Sequence, residues 1–493
     1  MNNRTPTVQT VPLQTTPLKT TTLQTSISPL VILHLGLGSF HRAHLAVYVH
    51  QLIESGDSRW VLKGGNTRPD MPETINALIA QQGEYTLETV TPSSERSYTL
   101  VKSIKSVFAW RQDLPDLIRV GAEPQTRIIS FTVTEAGYYL DAVDRLDLQA
   151  HDIASDLAAA RHGRVGGTIY AALVAILRER MRLSSGAVTL LNCDNLRHNG
   201  DRARAGLMQF IEALGDATLL GWVKANTSTP NAMVDRITPR PTADVSERVK
   251  QITGRDDPAA LMAESFIQWV IEDNFINSRP DWEKVGVEMV ASVAPYEEVK
   301  IRLLNATHSC IAWAGTLVGY RYIHQGTLDP VIFSYAYDYG TLDAIPVLDP
   351  SPIDLAAYRD VVLQRFSNPA IQDTNQRVAM DGFSKIPGFI APTIRERLAR
   401  GESIDAVAML PALFLACLER WHAGSLPYVY QDQVMNPTVA HAICAADDPA
   451  TALVADRSLW GDLAGDARLL AAVQRARSRV NVWVAKAQYP STK

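Results

Sequence analysis

Apolar residues in the first half of the chain form short continuous runs that alternate with stretches of helical spacing. The first run covers residues 30–35 and stops at Gly36-Leu37-Gly38, after which apolar side chains recur at helical spacing over 43–54. Similar runs follow at 60–63, 127–133 and 187–191, with helical stretches such as 168–183 between them. This alternation predicts a parallel sheet covered by helices, and therefore an α/β fold.

The strand signal nearly disappears after about residue 290. Long helical patterns follow one another at 295–320, 355–366, 404–422 and 464–485. We place the boundary between the alternating strand–helix pattern and the helical pattern near residues 285–295. The sequence thus predicts an α/β domain at 30–290 and a mostly α-helical domain at 291–493.

The first 29 residues have a different composition from the rest of the chain. They contain nine threonines and four prolines but only two charged residues, Arg4 and Lys19. The segment has no continuous apolar stretch that could form the core of a signal peptide. We expect a flexible tail; an organelle transit peptide is the alternative, although such peptides carry more arginines than this segment does.

Composition and charge narrow the possible functions. The 493 residues are 46% hydrophobic and 20% charged, which is typical of a globular protein of two or three domains. A net charge of −5 gives no basic excess for binding nucleic acid. The longest apolar run, 406–418, is shorter than the roughly 20 residues that span a bilayer, so no membrane helix is expected.

The four cysteines, Cys193, Cys310, Cys417 and Cys444, are too widely spaced for a metal or redox pair. They fit a reducing compartment, so we expect a cytoplasmic protein. None of the 11 histidines belongs to an HExxH pattern, and no Cys/His group has zinc spacing. The sequence therefore does not indicate a metal.

The first candidate site is the Gly36-x-Gly38-x-x-His41 turn between the first strand and the first helix. Its two glycines occupy the first two positions of a dinucleotide-binding fingerprint, in which one forms the tight turn and the other lets the backbone approach a pyrophosphate. The third glycine of the fingerprint is missing. An ordinary strand–helix turn is therefore an equally good interpretation of this motif alone.

The second candidate site lies on the predicted helix 295–320. Asn305 and His308 follow Lys300 by 5 and 8 residues. At about 100° per residue, the three side chains lie near 0° for Lys300, 140° for Asn305 and 80° for His308 around the helix. They project from one side, among apolar neighbours, and could face an interior cleft. The alternative is a lysine that extends to solvent and a histidine that is hydrogen-bonded within the core.

Six segments together resemble the mannitol dehydrogenase family of zinc-independent long-chain polyol dehydrogenases. They are LGLGSFHRAH at 35–44, VTEAGY at 133–138, NCDN at 192–195, MVDRITP at 233–239, QWVIEDNF at 268–275 and KIRLLNATH at 300–308. Two further segments, ATHSCIAWAGTL at 306–317 and IQDTNQRV at 371–378, resemble the bacterial D-arabinitol 4-dehydrogenase branch more closely. The resemblance covers nearly all of the chain after the tail.

The resemblance implies a Rossmann-like N-terminal domain, a helical C-terminal domain and an active site between them. The implied reaction is the reversible, NAD-dependent oxidation of D-arabinitol to D-xylulose. Mannitol 2-dehydrogenase and hexuronate reductase activities are alternatives within the family. A dinucleotide-binding sensor without catalytic activity is a remote alternative, because such a protein would be expected to have lost Lys300 or the amides.

The resemblance also implies roles for individual residues. Alcohol oxidation by a nicotinamide needs a base for the hydroxyl proton and donors for the developing alkoxide. Lys300 fits the base, since burial near Arg302 and His308 would disfavour its charged form. The implied oxyanion donors are Asn195 and Asn305, and the implied substrate-binding residues are Asp235, His308, Arg377 and Lys385.

The implied cofactor residues are Gly36, Gly38, Ser39, Phe40, Arg42, Asp70 and Thr134. Asp70 could accept a hydrogen bond from the ribose 2′-hydroxyl of NAD, whereas nearby Arg68 could hold the 2′-phosphate of NADP. The resemblance favours Asp70 and NAD. Glu297, one turn before Lys300, could pass the released proton to water; the alternative is a simple ion pair with Arg302.

Three motifs also have plain structural interpretations. The segment 233–239 could be a turn in which Asp235 pairs with Arg236. For 268–275 we expect a packed core helix rather than a site. We expect His41 and His44 to form hydrogen bonds to the Gly36–Gly38 turn.

Overall fold

The computed structural model describes residues 28–141 and 144–487. Residues 1–27, most of the predicted tail, lie outside the described residues. The strands are β1 (Leu30–Leu35), β2 (Trp60–Gly65), β3 (Tyr85–Val90), β4 (Arg96–Val101), β5 (Ile104–Phe108), β6 (Thr126–Phe131), β7 (Val188–Asn192), β8 (Thr227–Ser228), β9 (Ala232–Asp235), β10 (Leu261–Glu264), β11 (Gln268–Glu272) and β12 (Glu288–Val290).

The main sheet has six parallel strands in the order β5-β2-β1-β6-β7-β8. The chain order reverses between β1 and β6, and ligands of open α/β sheets bind at such a reversal, beyond the carboxyl ends of the strands. Residues of β1 alternate between two cores: Leu33 and Leu35 face one, and Ile32 faces the other. Helices cover both faces, as the apolar runs predicted.

The N-terminal helices are Ser39–Ala43, Leu45–Glu54, Pro72–Ala80, Pro115–Gly121, His151–Arg161, Ile169–Arg182, Asn199–Leu214, Ala217–Asn226 and Ala243–Thr253, with 3-10 turns at Glu135–Tyr138 and Trp282–Val285. The predicted helix 43–54 is thus broken. A short first helix ends at Ala43, and His44, with φ −124° and ψ −92°, redirects the chain into the next helix.

Strand register places four loops at one edge of the main sheet. Leu35 at the end of β1 pairs with Gly65 of β2 and with Phe131 of β6, and Phe131 pairs in turn with Asn192 of β7. The residues that follow these strand ends therefore emerge side by side. Gly36, Asp70, Thr134 and Asn195 all belong to these loops.

Two smaller sheets complete the N-terminal part, in the orders β10-β3-β4 and β12-β11-β9. The segment 268–275, for which we expected a helix, contains strand β11. Its Trp269 and Ile271 are nonetheless buried in the core, as expected. The error arose because a short apolar run fits a buried strand as well as a helix.

Every long element after β12 is helical. The helices are Ala294–Val299, Ala306–Leu317, Ile323–Leu328, Pro330–Asp338, Ile345–Leu348, Leu355–Phe366, Asn375–Ala379, Gly382–Lys385, Ala391–Ala399, Met409–His422, Pro437–Ala445, Pro449–Ala455, Arg457–Trp460 and Ala467–Lys486, with a 3-10 turn at Gly461–Leu463. Three π-helical segments lie at Lys300–Asn305, Tyr339–Ala344 and Ile386–Ile390. The α/β plus helical fold is thereby confirmed.

The helical part packs around Ala306–Leu317, which is buried over nearly its whole length. None of the helices in the described part of the chain is both long and apolar enough to cross a membrane. All four cysteines are free thiols, and only Cys444 is not fully buried.

Candidate active site

The Gly36–Gly38 turn is open on the side where a ligand would approach. Gly36 has φ +105°, and a Cβ there would lie 2.5 Å from the Thr132 carbonyl oxygen, so only glycine fits. A Cβ on Gly38 would meet nothing within 4 Å. The turn therefore combines a tight bend with an open approach, and it fits the pyrophosphate of a dinucleotide.

His41 stands at the position of the missing third glycine and stacks on a second histidine. In the dinucleotide fingerprint that glycine lets the helix pack closely on the strand. Here the His41 ring stacks on the ring of His34 in β1, with centroids 3.5 Å apart. His34 also contacts the Gly36 carbonyl oxygen and the Ser130 hydroxyl, at 3.1 and 2.8 Å, which fixes the turn between β1 and β6.

The expectation that His41 and His44 bond to the turn is wrong. Neither ring nitrogen of His41 has a hydrogen-bond partner among the described residues. His44 Nε2 lies 2.9 Å from the Gln268 carbonyl oxygen, in strand β11. Burial lowers the pKa of His44 to about 3, so its ring is neutral.

Asp70 is tied to the glycine turn through Asn66. The Asn66 amide accepts a hydrogen bond from Leu37 N at 2.9 Å and donates one to Asp70 Oδ1 at 2.8 Å. The exposed Asp70 carboxylate thus stands beside the turn. Arg68 is held elsewhere, because its guanidinium donates to the Gly167 carbonyl, the Tyr139 hydroxyl and the Asp152 carboxylate. This arrangement fits a ribose 2′-hydroxyl better than a 2′-phosphate.

The other predicted cofactor residues on the first helix have different surroundings. Ser39 and Phe40 are half-buried beside Gly38, and Phe40 stacks on His44. Arg42 is only 2% exposed, its guanidinium donates to the Ala259 carbonyl oxygen, and it lies over the Tyr85 ring. The structure thus gives Arg42 a packing role between the first helix and the second sheet.

Asp194 ties the loop after β6 to the loop after β7. Its carboxylate accepts hydrogen bonds from Val133 N, Thr134 N and the Tyr138 hydroxyl, at 3.0, 2.9 and 2.5 Å. Thr134 has φ +67° and ψ 161°, a region that costs a non-glycine residue about 1–3 kcal/mol. Asp194 stabilises that strained backbone and directly precedes Asn195.

Lys300 connects the helical part to the sheet edge. It is 6% exposed, and its Nζ donates to Asn195 Oδ1 at 2.5 Å and to the Val234 carbonyl oxygen at 2.6 Å. These two acceptors hold the amine in a fixed direction. The role of Lys300 as the base stays a prediction.

A π-helical segment, Lys300–Asn305, brings the second amide into the same cavity as Lys300. In such a segment hydrogen bonds connect residues five apart, so Asn305 lies closer to the face of Lys300 than α-helical geometry predicts. Lys300, Asn195 and Asn305 all line a cavity of about 230 Å³. The structure thus brings together the three predicted catalytic residues.

Arg302 and His308 are not the neighbours that we expected for the Lys300 amine. Arg302 donates to the Thr393 hydroxyl and to the Glu396 carboxylate, at 3.0 and 2.9 Å. His308 lines a separate small void. Arg302 points away because residues two apart on a helix lie on opposite faces. The π segment changes the direction of His308 from the one that α-helical spacing predicts.

Glu297 lines the Lys300 cavity and does not pair with Arg302. It is 5% exposed, and its carboxylate accepts a hydrogen bond from His198 N at 3.1 Å. Burial raises its pKa above the usual range of a glutamate. A buried carboxyl group that binds a proton readily, one helical turn from Lys300, is suited to relay a proton.

Asp235 follows the Val234 carbonyl that holds Lys300, and it pairs with Arg365 rather than with Arg236. Arg365 donates to both Asp235 oxygens at 2.7 and 3.0 Å, and also to Glu264. Arg236 instead donates to the carbonyl oxygens of Ala43 and Glu264. The segment 233–239 begins as the end of strand β9, not as a turn.

His308 and Arg377 share one carboxylate, that of Asp373. His308 Nε2 lies 3.5 Å from Asp373, and the His308 ring stacks on Phe366. Arg377, whose side chain is 66% exposed, donates to the same carboxylate. Lys385 is half-buried, and its amine donates to the Val378 carbonyl oxygen. None of the three lines the Lys300 cavity, so their substrate contacts stay a prediction.

Among residues 28–141 and 144–487, no group of three or more His, Cys, Asp or Glu side chains is arranged to hold a metal ion. The cavity around Lys300 instead offers an amine, two amides and a carboxyl group. Such a set suits proton transfer and hydrogen bonding to an oxygen atom.

Comparison with known proteins decides the family. The model of the mannitol dehydrogenase Rossmann domain matches residues 30–284, and that of the mannitol dehydrogenase C-terminal domain matches residues 292–481. The chain belongs to the mannitol dehydrogenase family. Its Rossmann domain contains the six-stranded sheet and its C-terminal domain contains the Lys300 helix.

Two relatives within the mannitol dehydrogenase family share more than half of their residues with this chain. The D-arabinitol 4-dehydrogenase of Ralstonia nicotianae is 59% identical, with 92% of this chain and 97% of the relative covered. The D-arabinitol 4-dehydrogenase of Klebsiella pneumoniae is 54% identical, with 89% and 95% covered. The mannitol 2-dehydrogenase of Pseudomonas fluorescens, solved as a ternary complex with NAD and D-mannitol, is 33% identical, with a TM-score of 0.78 and 93% and 94% covered.

Sequence reasoning missed two buried residues that bond to predicted site residues: Asp194, which bonds to Thr134, and Arg365, which bonds to Asp235. The position of Asp194 between the motif amides Asn192 and Asn195 was an available signal, because carboxylates often accept backbone N–H groups at strand ends. Arg365 is an ordinary helical arginine in the sequence. Its partner, Asp235 of strand β9, is evident only from the tertiary structure.

Proposed function

We propose that this protein catalyses the reversible, NAD-dependent oxidation of D-arabinitol at C4 to D-xylulose in the cytoplasm. The observation that carries the proposal is the cavity in which the amine of Lys300 meets the amides of Asn195 and Asn305. The two relatives that are more than 50% identical are both named D-arabinitol 4-dehydrogenase. The Gly36–Gly38 turn and Asp70 fit NAD.

Bound NAD would supply the acceptor for the hydride that leaves the alcohol carbon. Lys300 accepts the hydroxyl proton, and its contacts with Asn195 Oδ1 and the Val234 carbonyl hold the amine in position. Because Asn195 Oδ1 accepts from Lys300, its Nδ2 is oriented to donate elsewhere. With Asn305 it stabilises the developing alkoxide.

The proton leaves the site through Glu297. This carboxyl group lines the same cavity as Lys300 and is hydrogen-bonded to the backbone of His198, whose side chain is 56% exposed. A raised pKa suits Glu297 to take the proton from Lys300 and pass it to solvent. In the reverse direction the same groups return a proton to the alkoxide.

Asp235, His308, Arg377 and Lys385 hold the remaining hydroxyl groups of the polyol. A polyol needs several donors and acceptors, since each buried unpaired hydroxyl costs about 1–3 kcal/mol. Asp235 and His308 are both neighbours of Arg365. Arg377 and Lys385 would reach the substrate from the helical part.

Initial rates with D-arabinitol, D-mannitol and two keto-uronates, each with both nicotinamide cofactors, test this function. We expect the highest kcat/KM for D-arabinitol with NAD. The product distinguishes the reacting carbon, because oxidation at C4 gives D-xylulose whereas oxidation at C2 gives D-ribulose. A higher kcat/KM for mannitol or a keto-uronate would assign the alternative activities, and tight NADH binding without any turnover would indicate a sensor.

A further inference from the structure

A buried arginine of the helical part joins two carboxylates of the sheet part next to Lys300. Arg365, on helix Leu355–Phe366, donates two hydrogen bonds to Asp235 and two to Glu264, all between 2.7 and 3.0 Å. The three side chains are 2%, 7% and 3% exposed. Because water is excluded, each charge depends on the others for compensation.

Other contacts fix the Arg365 guanidinium in this position. It lies over the ring of Phe266, 4.0 Å from the ring centroid. It also borders the void that His308 and Asp373 line. Asp235 and His308, two predicted substrate-binding residues, thus share Arg365 as a neighbour.

The charges of this group matter to the base. Asp235 and Glu264 carry two negative charges and Arg365 one positive charge, so the three together are net negative by one. The buried guanidinium of Arg236, which donates to the Glu264 carbonyl oxygen, adds a positive charge beside them. Asp235 directly follows Val234, whose carbonyl oxygen accepts a hydrogen bond from Lys300. The Asp235 carboxylate therefore interacts electrostatically with the Lys300 amine. A negative group next to an ammonium favours its protonated form, and Arg365 reduces that effect.

We propose that Arg365 is a positioning residue for the reaction: it fixes the Asp235 carboxylate for the substrate and limits the negative charge that Lys300 faces. The proposal rests on the function proposed above. It assigns to one side chain both a geometric role, in polyol binding, and an electrostatic role, in proton abstraction.

The electrostatic role operates among several charged groups around Lys300. Loss of Arg365 would leave two carboxylates without their shared counter-charge, so Lys300 would keep its proton to higher pH. Replacement by lysine would keep the charge but lose the bidentate contacts that fix Asp235. Several other charged or titratable groups lie around the cavity and around the carboxylates that Arg365 joins. They are Asp194 and Arg197 after β7, His44 before helix Leu45–Glu54, Arg202 on helix Asn199–Leu214, Arg236 after β9, Glu297 one turn before Lys300, and Tyr358 on helix Leu355–Phe366.

Two variants separate these roles. For Arg365→Gln we expect the midpoint of the rising limb of kcat/KM against pH to move up by about 1 pH unit, and KM for the polyol to rise about tenfold. For Arg365→Lys we expect the same rise in KM with the midpoint unchanged. KM for NAD should be normal in both, because none of the contacts of Arg365 given above involves the Gly36–Gly38 turn or Asp70.

A third variant should move the midpoint of the pH profile in the opposite direction. Glu264→Gln removes one negative charge while Asp235 keeps its two hydrogen bonds to Arg365. We therefore expect the midpoint to move to lower pH. A merely structural role for the group would not predict midpoint shifts of opposite direction for Arg365→Gln and Glu264→Gln.

Arg397→Gln is the matched control. Arg397 also bridges two carboxylates, those of Asp343 and Glu402, but neither carboxylate adjoins an acceptor of the Lys300 amine, as Asp235 adjoins Val234. Its loss should lower the melting temperature without changing KM or the pH midpoint. If Arg365→Gln does not fold, Arg365→Lys decides: a KM for the polyol equal to that of the wild type overturns the proposal.

The result for the wild-type enzyme separates this proposal from the proposed function. If the wild-type protein oxidises no polyol with NAD, the proposed function fails. If it does, and Arg365→Gln keeps both the wild-type KM and the wild-type midpoint, only the role of Arg365 is refuted.

Discussion

Lys300 Nζ lies 2.5 Å from Asn195 Oδ1, and this hydrogen bond joins the helical part of the protein to the loop after β7. The two residues are 105 positions apart in the chain. The bond orients both partners: the lysine amine is fixed by its acceptors, and the amide presents its N–H donors to the cavity. One contact thereby positions the proposed base and a proposed oxyanion donor.

Replacement of Lys300 by alanine should remove the proposed base. We expect kcat to fall by about 10²- to 10⁴-fold, the usual contribution of a positioned acid–base group, while NADH binding is retained. The measurement is steady-state turnover together with a fluorescence titration of NADH. Lys284→Ala, at an exposed lysine paired with Asp281, should turn over normally. More than about a tenth of wild-type turnover in Lys300→Ala would assign the base elsewhere.

The amides should contribute mainly to kcat. For Asn195→Ala or Asn305→Ala we expect kcat to fall by about 10²- to 10³-fold, as for the loss of one oxyanion donor. Asn277→Ala is the control, because Asn277 bonds to Ala187, just before the opposite end of strand β7. Equal losses in all three variants would indicate destabilisation rather than loss of alkoxide stabilisation.

The pH profile should distinguish Lys300 from His308. Burial lowers the pKa of His308 to about 3, so this imidazole is already neutral above that pH and cannot produce an ionisation near or above neutrality. We expect His308→Asn to raise KM for the polyol but to keep the rising limb of the profile. Lys300→Ala should lose that limb. A limb that disappears in His308→Asn would contradict this assignment.

Asp70 should determine the preference for NAD. We expect Asp70→Ala to lower kcat/KM with NAD by roughly 10- to 100-fold, because a hydrogen bond to a charged group contributes about 1.5–3 kcal/mol. KM for the polyol should not change. Asp57→Ala, at a carboxylate paired with Arg59, is the control. A wild-type kcat/KM with NADP equal to that with NAD would direct attention to Arg68.

Activity should not depend on a metal ion. Among the described residues no cluster of ligands is arranged for a metal, and the amine of Lys300, the proposed base, lines the cavity. Prolonged dialysis against EDTA should therefore leave kcat and KM unchanged. Activity that is lost on dialysis and restored by added zinc would refute this prediction.

Local sequence patterns determined the elements of the site. Leu30–Leu35 and Leu355–Phe366 have the predicted bounds because strong local periodicity specifies their buried faces. The Gly36 turn is specified locally as well, since its φ of +105° excludes other residues. The segment 268–275 was mistaken for a helix because a short apolar run does not distinguish a buried strand from a helix.

Only the tertiary structure decided how the charged side chains are paired. The sequence allowed Asp235 to pair with its neighbour Arg236, but its partner in the structure is Arg365, 130 residues away. Arg302 was expected beside Lys300, yet it lies on the opposite face of the helix and pairs with Glu396. Secondary structure follows from the local order of apolar residues, whereas an ion pair depends on which elements pack together. That packing minimises the free energy of the whole chain, and no local pattern contains it.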